Sequence, residues 1–336
     1  MRALPVFWHR RMAAFLVCLG LAFPLPGPAG AAETDAQTLL RAVVRLDVTV
    51  PPDSQSARTL GTEREGTGVV IDSSGLIVTI GYTIMEAATL QVTTAEGKRY
   101  PAELVAYDHV SGFGLLRAGF GFSAPPVRLG DSGPVKNGDM LLALSRGGAQ
   151  PVMPVLVASK REFAGYWEYL LDEAIFTTPP LRAFNGAALV DAGGRLIGIG
   201  SLLVGDAAPG RSLPGNMFVP VNALKEILGD LLAYGRRQDE PRPWLGVSVR
   251  EEQGRLLVER VTPRGPADSA GLRAGDQIVG VGGQRFQGLA DFYRKLWGLG
   301  NAGVAVPLEV LRGARLEPLT VTSGDRNRYL KLNPTF

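Results

Sequence analysis

This chain of 336 residues holds few groups able to do acid–base or nucleophilic chemistry. It has two histidines, His9 and His109, and one cysteine, Cys18. His9 and Cys18 lie in an arginine-led apolar stretch at the start that reads as a leader, so His109 is the one imidazole expected in the folded body. A single imidazole excludes a multi-histidine metal site, and the missing thiol excludes a disulfide and a thiolate metal site. No cofactor is implied. Asp108, His109 and Ser111 look like an acid–base–nucleophile set in miniature. Adjacent residues on a strand point to opposite faces, so Asp108 and His109 are poorly placed to orient one another, and the plainer reading is a surface-loop histidine. A serine–lysine dyad through Lys136 or Lys160 has no support in the spacing.

The elements that would position such groups follow from the apolar pattern. Arg2, Arg10 and Arg11 precede an apolar run from Met12 to Leu25, broken by Pro24, Pro26 and Pro28 and followed by Ala29-Gly30-Ala31. This reads as a signal peptide over residues 1–31 and export to a bacterial periplasm. The alternative is an uncleaved membrane anchor, but the run falls short of the ~20 residues that span a bilayer. Lipidation at Cys18 is disfavoured by the bulky Phe15-Leu16-Val17 before it. Without the three leader arginines the 35 basic residues become 32, equal to the 32 acidic ones. A balanced surface offers no electrostatic case for nucleic acid.

Residues 36–50 carry apolar positions that start helical and end as a strand. From Gly66 to about Leu203 short apolar runs alternate with turns such as Asp72-Ser73-Ser74-Gly75, the pattern of an antiparallel sandwich or barrel pair. Val221, Leu224, Ile227, Leu228, Leu231 and Leu232 then follow helical spacing, and Gly235 ends that helix. Residues 236–243 are charged and proline-containing and read as a linker. Residues 244–324 form a second α+β unit, leaving 325–336 as a tail.

Gly66-Thr67-Gly68-Val69-Val70-Ile71, the junction Phe218-Val219-Pro220-Val221-Asn222 with Trp244-Leu245-Gly246-Val247, and Ser269-Ala270-Gly271-Leu272-Arg273-Ala274-Gly275-Asp276 resemble the HtrA (Deg) family of serine proteases. The resemblance covers about residues 38–324. It implies a mainly β chain, a trypsin-like double six-stranded β-barrel over 38–235 and a PDZ domain over 244–324. It also implies a periplasmic protein of envelope quality control, often trimeric. The family's histidine follows a strand ending Val-Thr, and Tyr82 stands there. Its aspartate falls at Gly112, and its serine, in Gly-Asn-Ser-Gly-Gly-Pro, falls at Asn185. A phenol of pKa ~10 is a poor base near neutrality. Glycine has no side chain, and a carboxamide is no nucleophile. In the oxyanion loop, Ala183 and Ala187 flank Gly186 where the family has glycines, and their Cβ atoms restrict positive φ.

By the same resemblance Trp244, Leu245, Gly246 and Val247 form the PDZ loop that caps a peptide's terminal carboxylate, and Val247, Ser248 and Val249 the strand that receives it. Leu245, Val247 and Val249, with Leu296 and Leu299 from a later helix, either line an apolar pocket or are simply core. The expected function is a pseudoprotease that binds peptide or protein C-termini, or unfolded segments, as scaffold, chaperone or regulator. Catalytic HtrA chains and copies of itself in a trimer are candidate partners. The alternative is an active serine endopeptidase with a rebuilt site.

Overall fold

Short apolar runs ended by turns satisfy their backbone groups by lateral pairing. In the computed structural model, which describes residues 37–146 and 151–330, that pairing closes two six-stranded antiparallel barrels. The first comprises β1 (Val43–Thr49), β2 (Glu63–Val70), β3 (Leu76–Ile80), β4 (Thr89–Thr93), β5 (Arg99–Tyr107) and β6 (Phe113–Ala118). The second comprises β7 (Met140–Leu144), β8 (Val152–Gly165), β9 (Tyr169–Thr178), β10 (Ala188–Val190), β11 (Leu196–Val204) and β12 (Gly215–Pro220). Closure removes exposed sheet edges. The mainly β architecture agrees with the sequence reading, although β5, β9 and β12 were not anticipated as strands. The leader and Cys18 lie outside the described residues.

One core runs through both barrels: Val69, Val78 and Phe113 of the first pack in the same cluster as Phe176 and Val219 of the second. The β2–β3 turn is set locally. Asp72 Oδ1 accepts from the amides of Ser74 and Leu76, and Gly75 supplies φ +81°. The helix Val221–Tyr234 buries Val221, Leu224, Ile227 and Leu231. Each such side chain contributes about 1.5–3 kcal/mol, so Leu224→Ala is the change that would most simply loosen it. Gly235 at φ +68° donates its N–H to Leu231 O at 3.0 Å and ends the helix.

The third unit is an open sheet of β13 (Val247–Glu252), β14 (Arg255–Val261), β15 (Gln277–Val281), β16 (Ala305–Arg312) and β17 (Arg315–Thr322), in chain order. β13 is therefore an edge strand. The helix Gly288–Trp297 covers the sheet with Leu289, Phe292, Tyr293 and Leu296. Residues 236–243 form no helix or strand but are pinned. The Arg242 guanidinium lies 4.6 Å over the Trp297 ring, and Pro241 O accepts from Ala302 N at 2.8 Å. Residues 325–330, expected as tail, form a capped turn. Asp325 accepts from Asn327 N, and Tyr329 packs on Trp244 with ring centroids 4.7 Å apart.

Candidate functional site

The strand β3 runs directly into a one-turn helix, Gly81–Ile84, that presents Tyr82 to the seam between the barrels. Arg64, itself buried, fixes this turn by donating to the carbonyls of Tyr82 and Met85, both at 2.9 Å. Across the seam stands Asn185. The Tyr82 hydroxyl lies 2.9 Å from Asn185 Oδ1 and 2.7 Å from Ser201 O. A phenol has one proton. Donated to Ser201 O, the shorter contact, it leaves a phenol lone pair for the carboxamide, whose N–H end satisfies it when turned inward. Burial pushes the Tyr82 phenol well above its ordinary range, so it stays protonated.

Gly112 joins the same constellation, its carbonyl accepting from Gly81 N at 2.7 Å. It sits at φ +85°, and a Cβ there would lie 3.0 Å from the Tyr169 hydroxyl. Tyr169 thus fills the space a side chain at 112 would need. Its hydroxyl, pushed up by burial, donates to Ser111 O at 2.6 Å. Sequence reasoning missed Tyr169, because only the closed second barrel brings it there.

The miniature set at 108–111 is not assembled. Asp108 accepts from the amide and hydroxyl of Ser111, at 2.8 and 2.6 Å, and Ser111 is committed to that turn. His109 is no surface-loop residue either. It is half-buried, and its Nδ1 lies 3.2 Å from Asn327 Oδ1 on the C-terminal turn. Burial, with Arg326 nearby, pushes its pKa down to about 4, against the raising effect of Asp108, Asn327 and Asp325. Lys160 pairs with Glu173 at 2.9 Å and donates to Gly133 O.

In the loop 183–187, Gly186 takes φ +76°, where a Cβ would meet Thr67 O at 2.0 Å. Asn185 O accepts from Thr67 N at 2.8 Å, locking this loop to the first barrel. Among the described residues, positive φ outside glycine occurs only at Glu86, Glu168, Gln253 and Arg264. Ala183 and Ala187 therefore sit in ordinary conformations. Ala187 N donates to Phe184 O at 3.0 Å, and Gly186 N to Gly200 O at 2.9 Å, so neither amide points freely into the seam.

A cavity of about 570 Å³ opens from Tyr82 and Gly112 past Trp167 and Tyr329 to Val247 and Ser248 of β13. At its far end lies the loop 244–247, whose amides already have an acceptor. Glu168, in the β8–β9 turn, is buried with its carboxylate accepting from Leu245 N, Gly246 N and Val247 N at 2.9, 2.7 and 3.0 Å. Burial pushes this carboxyl up from its ordinary value, while those amides and Arg326 pull it down. Tyr166 O accepts from Val249 N at 2.9 Å. Leu245, Val247, Val249 and Leu296 are buried in the core of the unit, with Leu299 packed at its margin. Ser248 receives an Arg260 contact, and Trp244 holds the C-terminal turn. Nothing in the sequence near Glu168 marks it, because its partners lie 77 to 79 residues on.

Comparison with known proteins agrees with this layout. Residues 66–199 match the trypsin-like peptidase domain and residues 243–322 the PDZ domain. The chain is 27% identical over 272 residues to a probable periplasmic serine protease do/HhoA-like of Haemophilus influenzae, covering 74% of this chain and 56% of that protein. It is 28% identical over 274 residues to a probable periplasmic serine endoprotease DegP-like of Pseudomonas putida, covering 77% and 55%. It thus spans just over half the length of these relatives. Among solved structures, the HtrA-type protease AlgW with tripeptide superposes with a TM-score of 0.52 at 24% identity, covering 88% of this chain and 97% of that one. The serine endoprotease from Yersinia pestis does so with a TM-score of 0.51 at 20% identity, covering 87% and 97%. These structures share the fold.

Proposed function

We propose that this chain, a trypsin-like peptidase domain followed by a PDZ domain, is a member of the HtrA/DegP family and that it binds polypeptide without cutting it. One observation carries the reading. At the positions the family gives to base and nucleophile, Tyr82 and Asn185 are hydrogen-bonded to each other. A half-buried phenol held protonated does not take a proton from an attacking oxygen, and a carboxamide supplies no attacking oxygen. At the third position Gly112 brings no carboxylate, and Tyr169 occupies the room for one. Loss of a triad nucleophile or base lowers turnover by roughly a millionfold in a serine protease.

In this reading the protein is exported to the periplasm, where its relatives are named as residing. There it acts as scaffold, chaperone or regulator in quality control of envelope proteins. The PDZ domain takes C-termini or unfolded segments as an added strand on β13, the terminal carboxylate on the amides of Leu245, Gly246 and Val247. Trimerisation, or assembly with catalytic chains of the family, belongs to the same reading.

The test is incubation of the purified protein with fluorescent unfolded casein, beside an Asn185→Ala variant. The expected outcome is no cleavage above background from either. Cleavage by the wild type that Asn185→Ala abolishes would establish instead an active endopeptidase with a rebuilt site.

A further inference from the structure

Gly165 pairs with Tyr169, so the β8–β9 hairpin turns through three residues, Tyr166, Trp167 and Glu168. Three-residue hairpin loops place a residue in the left-handed region, where glycine sits without strain. Here that residue is Glu168, at φ +57°. A glutamate carries a conformational cost that glycine would avoid, and strain of this kind is retained where a side chain is used. Its use is visible: both carboxylate oxygens are held by three consecutive amides, with Gly246 N and Val247 N on Oε1 and Leu245 N on Oε2.

Consecutive amides at the mouth of an edge strand are the device that captures a C-terminal carboxylate. Two residues before Glu168, Tyr166 O accepts from Val249 N on that strand. A main-chain bond to the edge strand followed by a carboxylate on the loop is the arrangement of a bound peptide end. The turn departs from it in one respect, since the chain continues. Glu168 N donates to Tyr293 Oη at 3.1 Å, and the Tyr293 hydroxyl donates to Gly165 O at 2.8 Å. Beside the turn, Ala164 and Leu170 pack on the core of the PDZ unit, and Arg294 bridges Glu162 and Asp172.

We propose that Tyr166-Trp167-Glu168 is an internal ligand of the PDZ groove, the Glu168 carboxylate standing where a partner's C-terminal carboxylate would sit, so that a free C-terminus enters only by exchange with this turn. The proposal rests on the reading that this groove takes C-termini. A weld between two domains needs no buried carboxylate, which is a costly group to bury for stability alone. A cradle shaped for carboxylate and filled in cis lowers the apparent affinity for outside peptides by the fraction of time the turn is undocked.

The test uses the full chain and two readouts. One is fluorescence anisotropy with a dye-labelled decapeptide pool, randomised over its last four residues, in free-acid and C-terminally amidated forms. The other is hydrogen exchange at the amides of residues 245–249. Wild type is compared with Glu168→Ala and with Glu168→Gln, which keeps the side-chain volume and guards against a folding defect. The account expects Glu168→Ala to bind the free-acid pool at least about tenfold tighter than wild type, a turn undocked a tenth of the time or less. Glu168→Gln falls between, and the amidated pool binds none. The wild-type amides are protected and become fast in Glu168→Ala. Equal affinity of wild type and Glu168→Ala overturns the proposal, as do fast amides in the wild type. If the pool binds no chain, the peptide-binding reading fails on its own, and protection that depends on Glu168 still identifies the turn as the tenant of the groove.

Discussion

Gly112→Ala probes whether the space beside Gly112, where the resemblance puts a catalytic acid, is closed. The residue sits at φ +85°, and an added Cβ would stand 3.0 Å from Tyr169 Oη and 3.5 Å from its Cε2. The ring cannot retreat cheaply: Tyr169 is buried, stacks 5.4 Å from Trp167, and donates to Ser111 O. A side chain at positive φ costs about 1–2 kcal/mol, and overpacking a tight site about 1–3, so the loss is about 2–5 kcal/mol. Urea unfolding followed by tryptophan fluorescence measures it as a lower midpoint at unchanged slope. Tyr169→Phe removes the crowding oxygen and, alone, costs about 1 kcal/mol through the orphaned Ser111 carbonyl. In the double variant the contact is relieved, so a double-mutant cycle gives a favourable coupling of about 1–2 kcal/mol. A Gly112→Ala within 0.5 kcal/mol of wild type, with no coupling to Tyr169, would refute the claim that this space is taken.

Tyr82→Phe removes the phenol from both Ser201 O and Asn185, and is expected to lower stability by about 1–2 kcal/mol in the same assay, with casein cleavage unchanged at background. His109 is held neutral in the fold, its pKa near 4 against about 6.5 for a free imidazole. The unfolded chain therefore gains a proton first as pH falls, and stability declines between about pH 6.5 and 4 by at most about 3 kcal/mol. His109→Gln is expected to flatten that part of the urea midpoint–pH curve, and an unchanged slope would contradict the assigned environment.

The barrels were legible because their signals are local: apolar runs, an Asp72 turn, a glycine where Gly235 caps the helix. Residues 221–234 form the helix that their spacing predicts, to the residue. β5 and β9 were harder, since β5 alternates between exposed and half-buried positions and shows little apolar pattern. The residues at 82, 112 and 185 were identified from flanking strings, and the structure brings them together. What stayed hidden was non-local. Tyr169 fills the space beside Gly112 from the other barrel. His109 is covered by Asn327, 218 residues on. Periodicity placed Leu296 and Leu299 on one helix face without telling groove from core, and the packing assigns Leu296 to the core. Glu168 carried no mark of its own, since the amides that hold it lie 77 to 79 residues on.

The central claim is that no hydroxyl in this chain is activated for attack. Labelling the native protein with a fluorophosphonate, which reacts only with activated serines, and locating the adduct by mass spectrometry tests it most directly. The account predicts no adduct on any serine, before or after peptide is added. Stoichiometric labelling of one serine, lost on denaturation, would contradict it.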